Sequence, residues 1–536
     1  MKFLIVDALG AEKGERRFTR DVIGAAPRTI AGILSKWKLY SKIMTAETVI
    51  QKPEIMREYD VLMVSGMSID LPAVMKIVNM WKSKYKGEPA PAVVGGPIAA
   101  DPYLLFRRCN CDLAVIGEGE ETLEELLSLG LKDGEVPPDE ELMNVRGIAW
   151  RSEEGVVLNK LRPILSKEKL NSYFPSIRHI LDYPTFFAAR IYVECVRGCS
   201  NFYRTRIELP DGRKCSGCGK CREGPLEERY YCPENIPPGC GYCSVPSLYG
   251  PPRSRYPEHI VREIKELVKL GARRIILGAS DFLEYQREEL VEGGILTDPR
   301  WPPPNYEAIE KLLSMITSLP EVQENDVYIS IENAKASLFD ERGASIIAKY
   351  LPGTTIHFGC ETGSEKHCID IGRPCTPREV LNAVKIAKKY GLRPYVYFIH
   401  GLPGQTMETA RETVDIMRKF EREGVEKITI YRFKPLPFSA FGDFRSVPAV
   451  KDPASRLIVE EARRINKNVK KKLLGRTFRV IIAEPYKYNL SYGVGYVINE
   501  GPVILVRNAG SDVGKTMKVR ITRVLSDRLV EGVPIR

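Results

Sequence analysis

The sequence predicts an α/β protein in three parts: an N-terminal doubly wound parallel sheet, a central partial (β/α)6 barrel with a cysteine-rich insertion, and a small C-terminal β-barrel. Three observations lead there. Short β-branched runs alternate with amphipathic stretches along most of the chain, which is the pattern of parallel strands covered by helices. The last 62 residues change to short strands punctuated by glycine. A chain of 536 residues with 43% hydrophobic and 28% charged side chains is too long for one core and too apolar for wholesale disorder.

The first part, 1–135, carries the runs KFLIVD, DVLMVSG, APAVVGG and CDLAVIGEG, each followed by a helix-like stretch. Small residues end these strands: Ser68, Gly95, Gly96, Pro97 and Gly117 fall at the carboxyl edge, where open α/β sheets bind ligands. Residues 136–185 turn polar and proline-containing and read as a linker with a few short strands. The second part, 186–440, holds ARIYVE, RRIILG, VYISIE, TIHFGCE, RPYVYFIH and EKITIYRF, with an insertion at 200–239. In such barrels the loops after the strands carry the chemistry. Residues 441–474 read as a basic helical connector and 475–536 as the terminal barrel. No stretch of about 18 residues is free of charge and the N-terminal apolar run is too short for a signal peptide, so a cytoplasmic protein away from membranes is expected.

In that compartment thiols stay reduced, so thirteen cysteines, eight of them between Cys195 and Cys243, point to metal. Cys240-Gly-Tyr-Cys243, with Cys199 forty-one positions earlier after the first barrel strand, resembles the CxxxCxxC motif of the radical S-adenosylmethionine (SAM) superfamily with its first spacer opened by an insertion. Paired cysteines of a zinc site are the other reading of these residues alone. GASDFLEY resembles that family's Gly-Gly-Glu loop, with Gly278, Ala279, Ser280 and Asp281 in its positions. GCETGSE resembles its Glu-Ser-Gly-Ser stretch, through Glu361, Thr362, Gly363 and Ser364. YFIHGLPGQT resembles its glycine-rich adenosine loop, through Gly401, Pro403, Gly404 and Gln405. The resemblance implies a [4Fe-4S] cluster on Cys199, Cys240 and Cys243, with Tyr242 at the aromatic position. One iron stays open for SAM, and an external one-electron donor such as ferredoxin or flavodoxin feeds the cluster.

Inside the insertion, Cys215, Cys218, Cys221 and Cys232 form a compact set that suits either a second [4Fe-4S] cluster or a structural zinc, with Cys195 as an alternate ligand. Cys109, Cys111, Cys360, Cys368 and Cys375 read as buried small hydrophobes. VVGGPIAADP and GEGEETLEELL resemble the cobalamin-binding domain of one radical SAM class, although residues 1–150 contain no histidine to ligate cobalt from below. Residues 461–536 hold 7 Lys and 9 Arg against 6 acidic residues, nearly all of the chain's +11 charge. That segment resembles a TRAM domain, an RNA-binding barrel. Lys470, Lys471, Lys472, Arg476, Arg479, Lys515, Lys518 and Arg520 are the expected phosphate contacts, and Tyr486, Tyr488 and Tyr492 the expected base-stacking residues. The resemblances together imply an enzyme that modifies RNA, in particular tRNA, by radical transfer of a methyl group via cobalamin. A methylthiotransferase is the alternative, and a non-catalytic RNA-binding metalloprotein the alternative of another class.

Overall fold

The computed structural model describes residues 1–85 and 90–535, and the chain forms two compact units, Met1–Tyr192 and Val193–Arg536.

In the first unit, β1 (Lys2–Asp7), β2 (Tyr40–Thr45), β3 (Val61–Ser65), β4 (Ala92–Gly95) and β5 (Leu113–Val115) pair in the order β2-β1-β3-β4-β5, all parallel. Five of the six residues of β1 are buried, as expected of a strand covered on both faces. The order reverses between β1 and β3, which opens a crevice at their carboxyl ends. Asp7, Ser65, Gly95 and Val115 are in register along that edge. The segment read as a linker extends this sheet instead: β6 (Ile148–Ser152) adds antiparallel to β5, and β7 (Gly155–Leu158) adds to β6. Ile148, Ala149 and Trp150 are buried there, an apolar cluster too short for periodicity to reveal.

β8 (Arg190–Arg197) begins at the end of the first unit and runs into the second, which holds β9 (Arg274–Ala279), β10 (Tyr328–Ile331), β11 (Thr355–Glu361), β12 (Arg393–His400) and β13 (Lys427–Arg432), neighbours in that order. An isolated parallel bridge from Ala334 to Phe358 joins the β10 side to β11, making one curved wall. After the helix Pro453–Lys471, the chain closes a five-stranded barrel from β14 (Thr477–Tyr486), β15 (Asn489–Val497), β16 (Val503–Val506), β17 (Thr516–Val524) and β18 (Leu529–Pro534). Val480, Ile482, Ile504, Val506, Val519 and Val530 fill its core. The turn after β15 reaches the amino ends of β11 and β12: Glu500 accepts a hydrogen bond from the Thr355 hydroxyl, and Arg393 donates to the Glu500 carbonyl at 3.0 Å.

Near the end of the long helix, Lys470 is 8% exposed, and burial pushes its ammonium down to about 8. A lysine whose folded value lies below its unfolded one burdens the fold wherever both states are protonated, and the burden lifts between the two values. Lys470→Met should therefore stabilise the protein at pH 7, by at most about 3 kcal/mol. The gain should shrink as pH rises from about 8 toward 10, as measured by denaturant unfolding at several pH values.

Candidate functional site

Cys199 leaves β8 through Gly198, whose φ of +91° and close approach to the Pro251 carbonyl admit no side chain. Its N–H donates to the Gly250 carbonyl at 3.0 Å. Asn201 then links the separated cysteines. Its backbone N–H lies 3.4 Å from the Cys199 sulphur, and its side-chain Nδ2 lies 3.2 Å from the Cys240 sulphur. The same Nδ2 donates to the Gly372 carbonyl at 3.1 Å. Cys243 follows in a turn closed by its N–H on the Cys240 carbonyl at 2.8 Å, and Gly241 between them packs flat against the Phe441 ring. Two of the three thiols thus flank one asparagine, and Cys243 is tied to Cys240 by that turn. Burial pushes the Cys199 and Cys243 thiols up to about 12, so without an electropositive ligand both stay protonated. Among the described residues no three Cys, His, Asp or Glu side chains converge as one bare ion requires. A cluster asks for something else, since each thiolate binds its own iron, and three half-buried thiols, two of them on one polar anchor, fit that demand.

Beside Cys199 lies a buried ionic group. Lys335 contacts Glu284, reaches the Ser200 hydroxyl at 3.3 Å and sits 3.5 Å from Asp281 Oδ2. Glu284 accepts from the Ser200 N–H at 3.2 Å, and Arg287 lies 3.8 Å from it. The other Asp281 oxygen accepts from the Leu283 and Lys335 N–H groups at 3.1 and 3.0 Å, leaving Oδ2 without a hydrogen bond. Burial pushes the Asp281 carboxyl up to about 6. Ser280 donates to the Gly198 carbonyl, tying the loop of Gly278 and Ala279 to the cysteine turn.

On the opposite wall, Glu361 ends β11 at φ +68° beside a register shift. Arg373 donates to the Tyr242 hydroxyl at 2.9 Å, lies 3.5 Å from Glu361, and approaches the Cys240 sulphur at 4.0 Å. Burial raises the Glu361 carboxyl. Ser364 caps the following helix by accepting from the His367 N–H, and Gly363 has Thr413 against its backbone, so both have structural duties. His367 Nε2 donates to the Pro403 carbonyl at 2.8 Å, joining this loop to the next. There Gly401 donates to Gln405 Oε1 at 2.8 Å, and Gln405 Nε2 donates to Asp452 and Ser455 at 3.0 Å each. Gly404, at φ +80°, lies close to Ile207 and His367. Asn201, Lys335, Glu284, Arg287 and Arg373 escaped the sequence reading because each matters only through partners distant in the chain.

The other expected residues fall in three places. Cys215, Cys218, Cys221 and Cys232 line one cavity in the insertion. Ser68 is exposed on the rim of the first sheet, its hydroxyl 3.4 Å from the Pro97 carbonyl. Gly96 has a reason other than clearing space for a ligand: its φ is +85°, and a Cβ would come within 2.8 Å of the Gly66 carbonyl. On the terminal barrel, Arg479 stands opposite Lys518 and Thr477 opposite Arg520 in the β14–β17 register. Lys471, Lys472, Arg476, Arg479, Lys515, Lys518 and Arg520 are exposed, with Arg479 paired to Asp326 and Lys515 to Asp512. Lys470 is the exception and must be withdrawn as a phosphate contact, because the helix turns it inward. Tyr488 is 75% exposed at the tip of the β14–β15 hairpin, edge to face with Tyr486 at 5.4 Å.

Residues 230–417 match the Radical SAM superfamily. An uncharacterised protein of Methanopyrus kandleri is 43% identical over 99% of this chain and 96% of its own length. The ribosomal protein uS12 methylthiotransferase RimO of Clostridium botulinum is 24% identical over 54% of this chain and 62% of its own. Among solved structures, the radical SAM methyltransferase TsrM of Kitasatospora setae, with cobalamin and a [4Fe-4S] cluster bound, has a similar fold. Its TM-score is 0.56 at 14% identity, covering 84% of this chain and 79% of that one. With Cys240 and Cys243 inside the matched residues and Cys199 held beside Cys240 by Asn201, the chain carries a radical SAM domain and is an enzyme that works with a [4Fe-4S] cluster and SAM.

Proposed function

We propose that this enzyme transfers a methyl group to RNA, a tRNA being the substrate class, with cobalamin as methyl carrier. The observation that carries the substrate class is the group of exposed cations Arg479, Lys518 and Arg520 on β14 and β17. Arg479 stands directly opposite Lys518, and although Asp326 pairs with Arg479, both side chains are exposed and open to a polyanion. The exposed Tyr488 supplies a face for base stacking. Transfer of a methylthio group is disfavoured because the first unit offers only Cys109 and Cys111, 2% and 4% exposed, as sulphur ligands.

Cys199, Cys240 and Cys243 would hold the catalytic cluster, which with SAM supplies a 5′-deoxyadenosyl radical able to take hydrogen from an unactivated carbon. The chain's own residues prepare the site. Asn201 orients two thiolates by hydrogen bonds, which favour the ionised sulphur. Asp281 Oδ2, which accepts no hydrogen bond and lies 3.5 Å from Lys335, would be an acceptor for the SAM amino group, and Arg373 a cation for its carboxylate. The Gly401–Gly404 loop, pinned by Gln405, lets backbone approach the adenosine. Ser68, Gly95, Gly96, Pro97 and Gly117 would hold cobalamin. Their rim is apolar as well as small, with Met67 40% and Ile69 46% exposed beside Ser68.

Three outcomes test this reading. Asn201→Ala removes one charge-assisted hydrogen bond of about 1.5–3 kcal/mol. It should make the cluster's midpoint potential more negative and slow 5′-deoxyadenosine release about tenfold or more, while tRNA affinity holds; an unmoved potential would count against the assignment. Replacing Arg476, Arg479, Lys518 and Arg520 with Ala should flatten the log–log salt dependence of tRNA binding by roughly 3, since each neutralised phosphate accounts for ~0.7–0.9 of the slope. An unchanged slope in fluorescence anisotropy would place the RNA elsewhere. Ser68→Trp, at an exposed position that tolerates bulk, should abolish corrinoid uptake in the absorbance spectrum of desalted protein while leaving SAM cleavage; full uptake would exclude that rim.

A further inference from the structure

The wall of strands holds a polar group that the cysteine site does not use. Glu332 follows β10, and its side chain is 23% exposed. The next residue, Asn333, donates to the Ala279 carbonyl at 3.2 Å, which sets Glu332 beside the loop that carries Asp281. The Tyr397 hydroxyl donates to Glu332 Oε1 at 3.3 Å and contacts His357 Nδ1. His357 is buried, stacked on Tyr395 at 4.8 Å and edge-on to Tyr397 at 5.4 Å. Its Nε2 has no hydrogen-bond partner among the described residues and faces Glu500 Oε2 at 3.9 Å. Glu500 is contributed by the terminal barrel, from the turn between β15 and β16, and its carboxylate accepts from the Thr355 hydroxyl. Its φ is +55°, where a side chain is strained and glycine is not, so the strain is offset by what the carboxylate touches.

The geometry gives this chain a direction. An imidazole with one carboxylate 3.8 Å from Nδ1 and another 3.9 Å from Nε2 is held doubly protonated, each N–H facing negative charge. Nδ1 then donates to Tyr397, and the phenol keeps its own proton for Glu332. The chain ends on the face that carries the cysteine site. Tyr397 pairs with Gly359 in the β11–β12 register, and a Cβ on Gly359 would lie 2.5 Å from Glu361 Oε1 and 3.3 Å from the Arg373 guanidinium. Paired residues of neighbouring strands point to one side, so Tyr397 lies one strand spacing from Glu361 and Arg373. At the far edge Tyr431, 54% exposed on β13, meets Tyr397 edge to face at 5.9 Å, which leaves the face open to solvent there. An oriented carboxylate repels phosphate and receives N–H donors, and an aromatic ring has Tyr431 to lie against.

We propose that Glu332 and Tyr397 contact the reacting unit of the substrate and read an N–H donor on an aromatic ring, with His357 and the terminal barrel's Glu500 as their positioning residues. The substrate class rests on the RNA reading above: the unit is a nucleobase with an exocyclic amino group, turned out of the RNA while its phosphates stay outside. Adenine, cytosine and guanine carry that group, whereas uracil presents two carbonyl oxygens to an acceptor surface. The positioning of Tyr397 through His357 by Glu500 does not depend on RNA. The terminal barrel thus completes the catalytic wall from below.

The test has two arms. In the first, the full chain with isotope-labelled histidine is followed by nuclear magnetic resonance without RNA, the His357 signal being identified by its loss in His357→Gln. At pH 7 wild type should show an imidazolium and Glu500→Gln, which keeps an acceptor for Thr355, a neutral ring; the same signal in both overturns the role of Glu500. In the second, the reconstituted enzyme receives SAM, a reductant and tRNA from a strain lacking this gene. Glu332→Gln, Tyr397→Phe and Glu500→Gln should each lower the modified nucleoside formed per 5′-deoxyadenosine by about tenfold or more, with Glu500→Asp recovering most of the loss. An unchanged ratio in Glu332→Gln and Tyr397→Phe overturns the substrate contact, and equal losses in Glu500→Gln and Glu500→Asp overturn the positioning role. A modified uridine overturns the amino-bearing base. No modified nucleoside at all overturns the RNA reading and the base with it, and the first arm then decides the positioning alone.

Discussion

The second unit depends on the closure that brings Cys199 to Cys240. Forty residues intervene, and closing a flexible loop of that length costs about 3 kcal/mol in chain entropy before any interaction repays it. Asn201 meets that cost with donors on both of its polar ends, one toward each cysteine. The Gly239 N–H on Tyr203 and the Gly241 N–H on Ile371, at 2.9 and 2.7 Å, close the same seam. Because the seam is stitched by backbone groups, it tolerates any insertion whose two ends stay put. That explains how a motif with a three-residue spacer elsewhere in the superfamily accommodates a subdomain here.

Electrostatics around the seam are arranged in advance. Asp281 and Glu284 face Lys335 and Arg287 in a group almost wholly out of water, two charges of each sign. With the Cys199 thiol protonated the group is balanced; with a thiolate it carries one negative charge more, which the iron would neutralise. Arg373 stands likewise between Glu361, the Tyr242 hydroxyl and the Cys240 sulphur. Buried cations on both sides of a thiol site favour the reduced, more negative state of anything bound there.

Strand order and the carboxyl-edge loops were legible because parallel strands with both faces covered leave unbroken apolar runs. The loops after β9, β11 and β12 announced themselves by glycine. The sequence could not show why a glycine is present: Gly96 answers to the Gly66 carbonyl, and Gly363 to the helix that packs on it. Nor could it show burial along a charged helix, where Lys470 turns inward between Lys467 and Lys471, which face water. Lys335 and Arg373 look like ordinary surface cations until strands more than fifty residues away are folded around them.

The hydrogen bond between Glu500 and Thr355 has a consequence of scale. Thr355 begins β11 and Glu361 ends it, so the terminal barrel is fastened to the floor of the wall whose ceiling carries the cysteines. Six strand steps of about 3.3 Å separate the two levels by about 20 Å. Any molecule gripped at both levels has to be longer than that.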